Sequence, residues 1–327
     1  MLTAARADRL ERHQVPVYLC ALAVGALLGT LAPGLERVLG AALWPVLGAL
    51  LLVTFLPVPL TALRDALADR RFLVAALVSN FVLVPPLAWG LAQLAPGGTA
   101  VELGVLLVLL TPCVDYVIVF TRLAGGSHRR LLAAAPLLLL AQMALLPLYL
   151  WLFLGGELSA VVEPGPFVEA FLLLIVVPLA LAGATQAWAA RSRRGARVRS
   201  GAERTPVLLM AATLLVVVAS QWPRVQDDLD AVAGVVPLYV AFLVVMLAVG
   251  AGVARLLRLD APEARALVLS GATRNSLVVL PLALALPDGY ALTAAVIVTQ
   301  TLVEVLGMVA CVRLVPRLVP ARPGPVS

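Results

Sequence analysis

The chain has 327 residues, 62% of them apolar and only 13% charged, with a mean hydropathy of +1.03. Soluble domains carry about 25% charged residues, so a water-facing globule is excluded and lipid is the solvent. The net charge of +6 contains no lysine; all 24 cations are arginines, clustered in the tails and short connections apart from Arg274, where they act as topology signals and not as a nucleic-acid face.

The predicted elements follow in chain order. A polar start, residues 1–14 with Arg6, Arg9, Arg12 and His13, precedes the first apolar run and lacks the small-residue cleavage site of a signal peptide. Apolar runs then lie at about 15–31, 38–60, 72–94, 101–120 and 131–154. A second set lies at about 167–189, 206–222, 232–257, 266–286 and 290–315. Each is near the ~20 residues that a helix needs to cross ~30 Å of hydrocarbon. They are continuously apolar, whereas barrel strands alternate over ~10 residues. The expectation is an all-α polytopic membrane protein of ten transmembrane helices, one transport domain with no soluble domain. The longest polar stretch is about 189–205.

Twenty-one of the 24 arginines fall in the N-terminal tail, the even-numbered connections and the C-terminal tail. Arg37 and Arg224 fall in odd-numbered connections, beside Glu157, Glu163, Asp227, Asp228, Asp230 and Asp288. This bias predicts a multi-pass protein of the cell membrane with both termini cytoplasmic. Helices one to five (about 15–154) and six to ten (about 167–315) then form two halves of inverted topology.

The fourth run carries Thr111-Pro112-Cys113-Val114-Asp115-Tyr116 at its middle, and the ninth carries Ser270-Gly271-Ala272-Thr273-Arg274-Asn275-Ser276. Thr111, Pro112, Gly271 and Thr273 mark the expected breaks. Interrupted helices at matching places in two halves point to a carrier's binding site. Backbone groups freed by a break must face protein or a wet cavity, because unsatisfied in lipid each costs several kcal/mol. The two helices are expected to cross near the membrane midplane.

Asp115, Arg274 and Glu304 are ionisable groups inside these runs, costing roughly 2.5–3.5 kcal/mol each on insertion scales, and are candidates for ion coupling or gating. A structural Asp115–Arg274 ion pair is the competing reading. Asn80, Asn275 and Ser276 offer neutral donors and acceptors for substrate, or plain helix–helix hydrogen bonds. Cys20, Cys113 and Cys311 lie inside apolar runs, which excludes a disulfide framework or a Cys-x-x-Cys zinc site. Cys113 stands apart because it lies at the break. No zincin, nucleophile-elbow or Walker motif is present. An enzyme is therefore not expected, and no cofactor is expected beyond a coupling proton or sodium ion.

On these residues the chain resembles the arsenite permease branch of the bile acid:sodium symporter superfamily over nearly its whole length. Cys113 in Pro112-Cys113-Val114-Asp115-Tyr116-Val117 matches that branch's cysteine in helix four. Asn80 with Pro85 matches helix three. Arg274-Asn275-Ser276 matches the asparagine-bearing break of helix nine, and Leu302-Val303-Glu304-Val305 matches helix ten. The chain departs from the branch at Leu277-Val278-Val279, where a glutamate is usual, and at Pro112, where an arginine is usual. The resemblance implies a ten-helix inverted-repeat carrier exporting trivalent arsenic in exchange for protons. Sodium-coupled transport of an organic anion, as in the bile acid branch, is the alternative. A membrane sensor or scaffold would move no solute. The expected partners are a small inorganic or anionic substrate and the bilayer, not nucleic acid, with self-association left open.

Overall fold

The computed structural model describes residues 10, 14–57, 69–113, 117–161, 172–225 and 229–320. Asp115, Arg6, Arg9, Arg12, His13, Arg64, Glu163, Asp227, Asp228 and Arg322 lie outside them. The described chain is helical: α1 Gln14–Leu31, α2 Glu36–Phe55, α3 Arg70–Ala92, α4 Thr99–Leu109, α5 Val117–Leu123, α6 His128–Val161 and α7 Val177–Arg191. Then follow α8 Arg193–Ala202, α9 Pro206–Val225, α10 Leu229–Gly234, α11 Val236–Leu256, α12 Ala261–Ala272, α13 Ser276–Leu284 and α14 Ala291–Leu318.

Among the described residues, five stretches are long and apolar enough to cross a bilayer on their own: Val38–Phe55, Arg70–Ala92, His128–Gly155, Leu229–Leu256 and Ala291–Leu318. A sixth arises if α8 and Pro206–Ser220, bent by 47°, count as one. This is fewer than the ten expected from apolar runs, for a partly geometric reason. At 1.5 Å per residue, the 11 residues of α4 rise about 16 Å, roughly half of the hydrocarbon core. Neither piece of a broken span is long enough to cross by itself. The polar stretch expected as a connection also holds a helix, α8, started by Ser192, whose hydroxyl accepts from the Arg194 and Gly195 N–H groups.

The chain divides into two compact units, each drawing on both halves of the sequence. The first comprises residues 1–57, 160–230 and 280–298. Its centre is α1 against α9, with α2 beside both α9 and α7. Gly25 and Gly29, one helical turn apart on α1, let the backbones approach. A Cβ on Gly25 would lie 2.8 Å from the Leu215 carbonyl, and one on Gly29 2.6 Å from Trp222 Cβ. Between apolar helices in lipid, close van der Waals contact of this kind supplies much of the association.

The second unit comprises residues 58–159, 231–279 and 299–327. Here α12 is the buried element: Ala266, Leu267, Val268, Leu269 and Ser270 are fully buried. It packs on α11, α3 and α5. Gly250 of α11 faces Val268 of α12 so closely that a Cβ would meet Val268 Cα at 2.9 Å. An Asp260–Glu263 capping box starts α12, each residue's side chain accepting from the other's backbone N–H.

Arginines tie one end of this unit together. Arg130 pairs with Asp69 (2.9 Å) and with Glu263, joining the starts of α3 and α12. Arg71 donates to the Leu257 and Arg258 carbonyls where α11 ends. Arg265 donates to Val319, Ala124 and Gly125 carbonyls.

Within α3, residues Ser79–Leu83 form a turn of π-helix just before Pro85 and Pro86. Proline has no N–H, and its ring crowds the carbonyl four residues back, here that of Phe81. Widening the turn relieves the clash, and the Tyr149 hydroxyl donates to the Phe81 carbonyl at 2.5 Å.

Candidate functional site

The site is built where two helices of the second unit stop. Helix α4 ends at Leu109 and α12 at Ala272. The next described helices begin at Val117 in one case and Ser276 in the other. Between them the two segments run antiparallel as an isolated β-bridge, Pro112 opposite Arg274. The Cys113 N–H donates to the Thr273 carbonyl (3.3 Å), and the Asn275 N–H to the Thr111 carbonyl (2.7 Å).

This register explains why proline is tolerated at 112. Pro112 and Arg274 form the non-hydrogen-bonded pair of the bridge, so neither needs its own N–H for the ladder. Proline has none. Arg274's N–H instead donates to Glu304 Oε2 of α14 at 2.7 Å. The same carboxylate oxygen accepts from Gln300 Nε2 at 2.5 Å.

The Arg274 side chain is fully buried. Its Nη1 donates to the Leu109 carbonyl (3.2 Å), and Nη2 to Asn80 Oδ1 (2.7 Å) and to the Ser270 and Gly271 carbonyls (3.2 and 2.7 Å). Its Cζ lies 5.2 Å from the centroid of the Phe242 ring, within cation–π range. Asn80, placed by the π turn of α3, also donates through Nδ2 to the Ala76 carbonyl and to Ser270 Oγ.

Around this centre the polar groups are buried. Asn275 Oδ1 accepts from the Val278 N–H, as an N-cap side chain does at the start of α13. Its Nδ2 is buried with no hydrogen-bond partner among the described residues, as is Ser79 Oγ. The Ser276 hydroxyl accepts from Thr301 at 2.6 Å. The Thr111 and Thr273 hydroxyls each turn back to the carbonyl four residues earlier, Leu107 and Leu269. Gly271 leaves room for Ser79: a Cβ there would lie 3.0 Å from Ser79 Oγ. Beside Glu304 is a small cavity of about 10 Å³ lined by Leu109, Tyr239, Phe242, Ala272 and Gln300 among others. That is close to the least that holds one water molecule.

Thus Asn80, Thr111, Pro112, Cys113, Gly271, Thr273, Arg274, Asn275, Ser276 and Glu304 all belong to the second unit. Cys113 and Cys311 are buried and Cys20 is exposed. Of the sequence-derived candidates, Glu304 borders the cavity. Sequence reasoning missed Phe242, Gln300, Thr301 and Ser79. Ser79 and Gln300 were visible as polar residues inside apolar runs. Nothing in the sequence marked Phe242.

A sequence model described as the sodium bile acid symporter family matches residues 44–225. No curated protein matches the chain.

Proposed function

Because the chain belongs to the sodium bile acid symporter family, a family of membrane transport proteins, we propose that it is a secondary carrier exporting arsenite or antimonite in exchange for protons. The observation that carries this reading is a buried thiol, Cys113, at the junction of two interrupted helices, next to the Pro112–Arg274 bridge and held through its N–H by the Thr273 carbonyl. Trivalent arsenic is thiophilic and, as its hydroxide, electrically neutral near pH 7. A single sulfur ligand suits a carrier, since transport requires release as well as capture.

The hydroxyls of the substrate need hydrogen-bond partners once water is stripped away. Asn275 Nδ2 and Ser79 Oγ are buried and unpaired among the described residues, and Ser276 keeps its own hydroxyl proton while accepting from Thr301. Asn80 has its amide donors on Ala76 and Ser270 and its oxygen on Arg274. In this reading it holds the break in shape and does not release those bonds to substrate. Glu304, beside the cavity, takes and gives the exchanged proton; Asp115 is the second candidate for that task. Alternating access then opens the junction first to one side of the membrane and then to the other.

The test is arsenite accumulation in everted membrane vesicles under an imposed pH gradient. Cys113→Ser is expected to slow the initial rate by about tenfold or more, about 1.4 kcal/mol of binding or barrier. Unchanged accumulation removes the thiol from the mechanism. The family match also favours a second reading, sodium-coupled uptake of an organic anion. Sodium-stimulated uptake that survives alkylation of Cys113 would select it.

A further inference from the structure

The geometry points to Arg274 as a tethered cation: its guanidinium occupies the oxygen-lined place where a broken-helix carrier holds a coupling sodium ion. Four oxygens converge on it: the Leu109 carbonyl at the end of α4, the Ser270 and Gly271 carbonyls at the end of α12, and Asn80 Oδ1 from the π turn of α3. The three carbonyls belong to last helical turns, whose acceptors have no intrahelical donor. Unwound carbonyls and half-helix C-termini of this kind are what coordinate sodium or protons in carriers with broken helices.

Magnitude supports the assignment. Each helix C-terminus carries roughly −0.5 of an elementary charge, so two facing C-termini present about −1. One guanidinium offsets that, in a junction that also holds the Glu304 carboxylate and the positive N-terminus of α13. It does so without binding entropy, because it is covalently attached, and Phe242 covers it at 5.2 Å. Arginine fits better than lysine, since its planar fork reaches several oxygens at once. With its Nη donors committed to protein oxygens, the locus needs no sodium ion to hold the two half-helices together. This inference deepens the carrier reading: it predicts a family member whose conformational stability and transport are both independent of sodium.

The experiment uses the purified full chain in lipid nanodiscs. Its melting temperature is measured in sodium chloride and in choline chloride at equal ionic strength. The wild type is expected to melt within about 1 °C in both salts, because a ligand without a site gives no mass-action stabilisation. Arg274→Ala is expected to melt lower and to be raised saturably, by several degrees, on adding sodium or methylguanidinium. Arg274→Lys, which keeps the charge, is expected to be as indifferent to sodium as the wild type.

Saturable stabilisation of the wild type by sodium overturns the inference. So does a folded Arg274→Ala that responds to neither cation, which a merely structural arginine would give. If Arg274→Ala yields no folded protein, the wild type and Arg274→Lys decide. Indifference of both supports the inference, and a saturable sodium response in either overturns it. None of these measurements involves arsenite or flux, so failure of the arsenite reading leaves them standing.

Discussion

Glu304 Oε2 accepts from the Arg274 N–H and from Gln300 Nε2, and the residue is only 3% exposed. A carboxylate in such surroundings is held by donors because burying it bare would cost many kcal/mol. Glu304→Gln keeps the volume and removes the charge. If Glu304 carries the exchanged proton, the variant is expected to accumulate arsenite in vesicles at the same rate with and without a pH gradient. Its stability is expected to fall by about 1–3 kcal/mol, because an amide matches these donors less well. Retained sensitivity to the gradient would move the proton to another group, with Asp115 the next to test. At the same scale, Arg274 and Asn80 were both legible as unusual residues in apolar runs. Their relation was not: they are 194 positions apart, and the bond between them exists only because α3 and α12 pack together.

Helices in this chain meet through small residues and stop through specific backbone chemistry. The pair α1 and α9 approaches at Gly25 and Gly29. Gly29→Val is expected to push these helices apart, since even its Cβ would lie 2.6 Å from Trp222 Cβ. Overpacking of this kind costs about 1–3 kcal/mol, and the measurement is the melting temperature in detergent. An unchanged value would show that α1 is free to shift. The breaks follow a different rule. Proline at 112 ends regular hydrogen bonding, so the interruption of the fourth apolar run could be read from sequence. The same logic did not find the π turn of α3. Pro85 and Pro86 were visible, but whether a proline kinks, widens or ends a helix depends on which neighbour satisfies the freed carbonyl, here Tyr149.

For the whole molecule, the arginine bias yields a topology that reporter insertion can check. Alkaline phosphatase, active only outside the cytoplasm, is expected to be inactive when inserted near residue 200, in the basic α8 region, and active when inserted near residue 160. The reverse pattern would invert the orientation. Composition and charge bias by themselves determined that this chain lives in lipid, that it is helical, and where its polar interruptions fall. Those follow from local physics: apolar runs of bilayer length, arginines kept in connections, and proline's missing N–H. Tertiary structure alone decided that the two interruptions meet as Pro112 opposite Arg274, and that Arg274 turns its donors onto the ends of α4 and α12. Orphaned carbonyls and a buried cation each have many acceptable partners in a sequence. Only the packing of distant helices selects which of them come within hydrogen-bond distance.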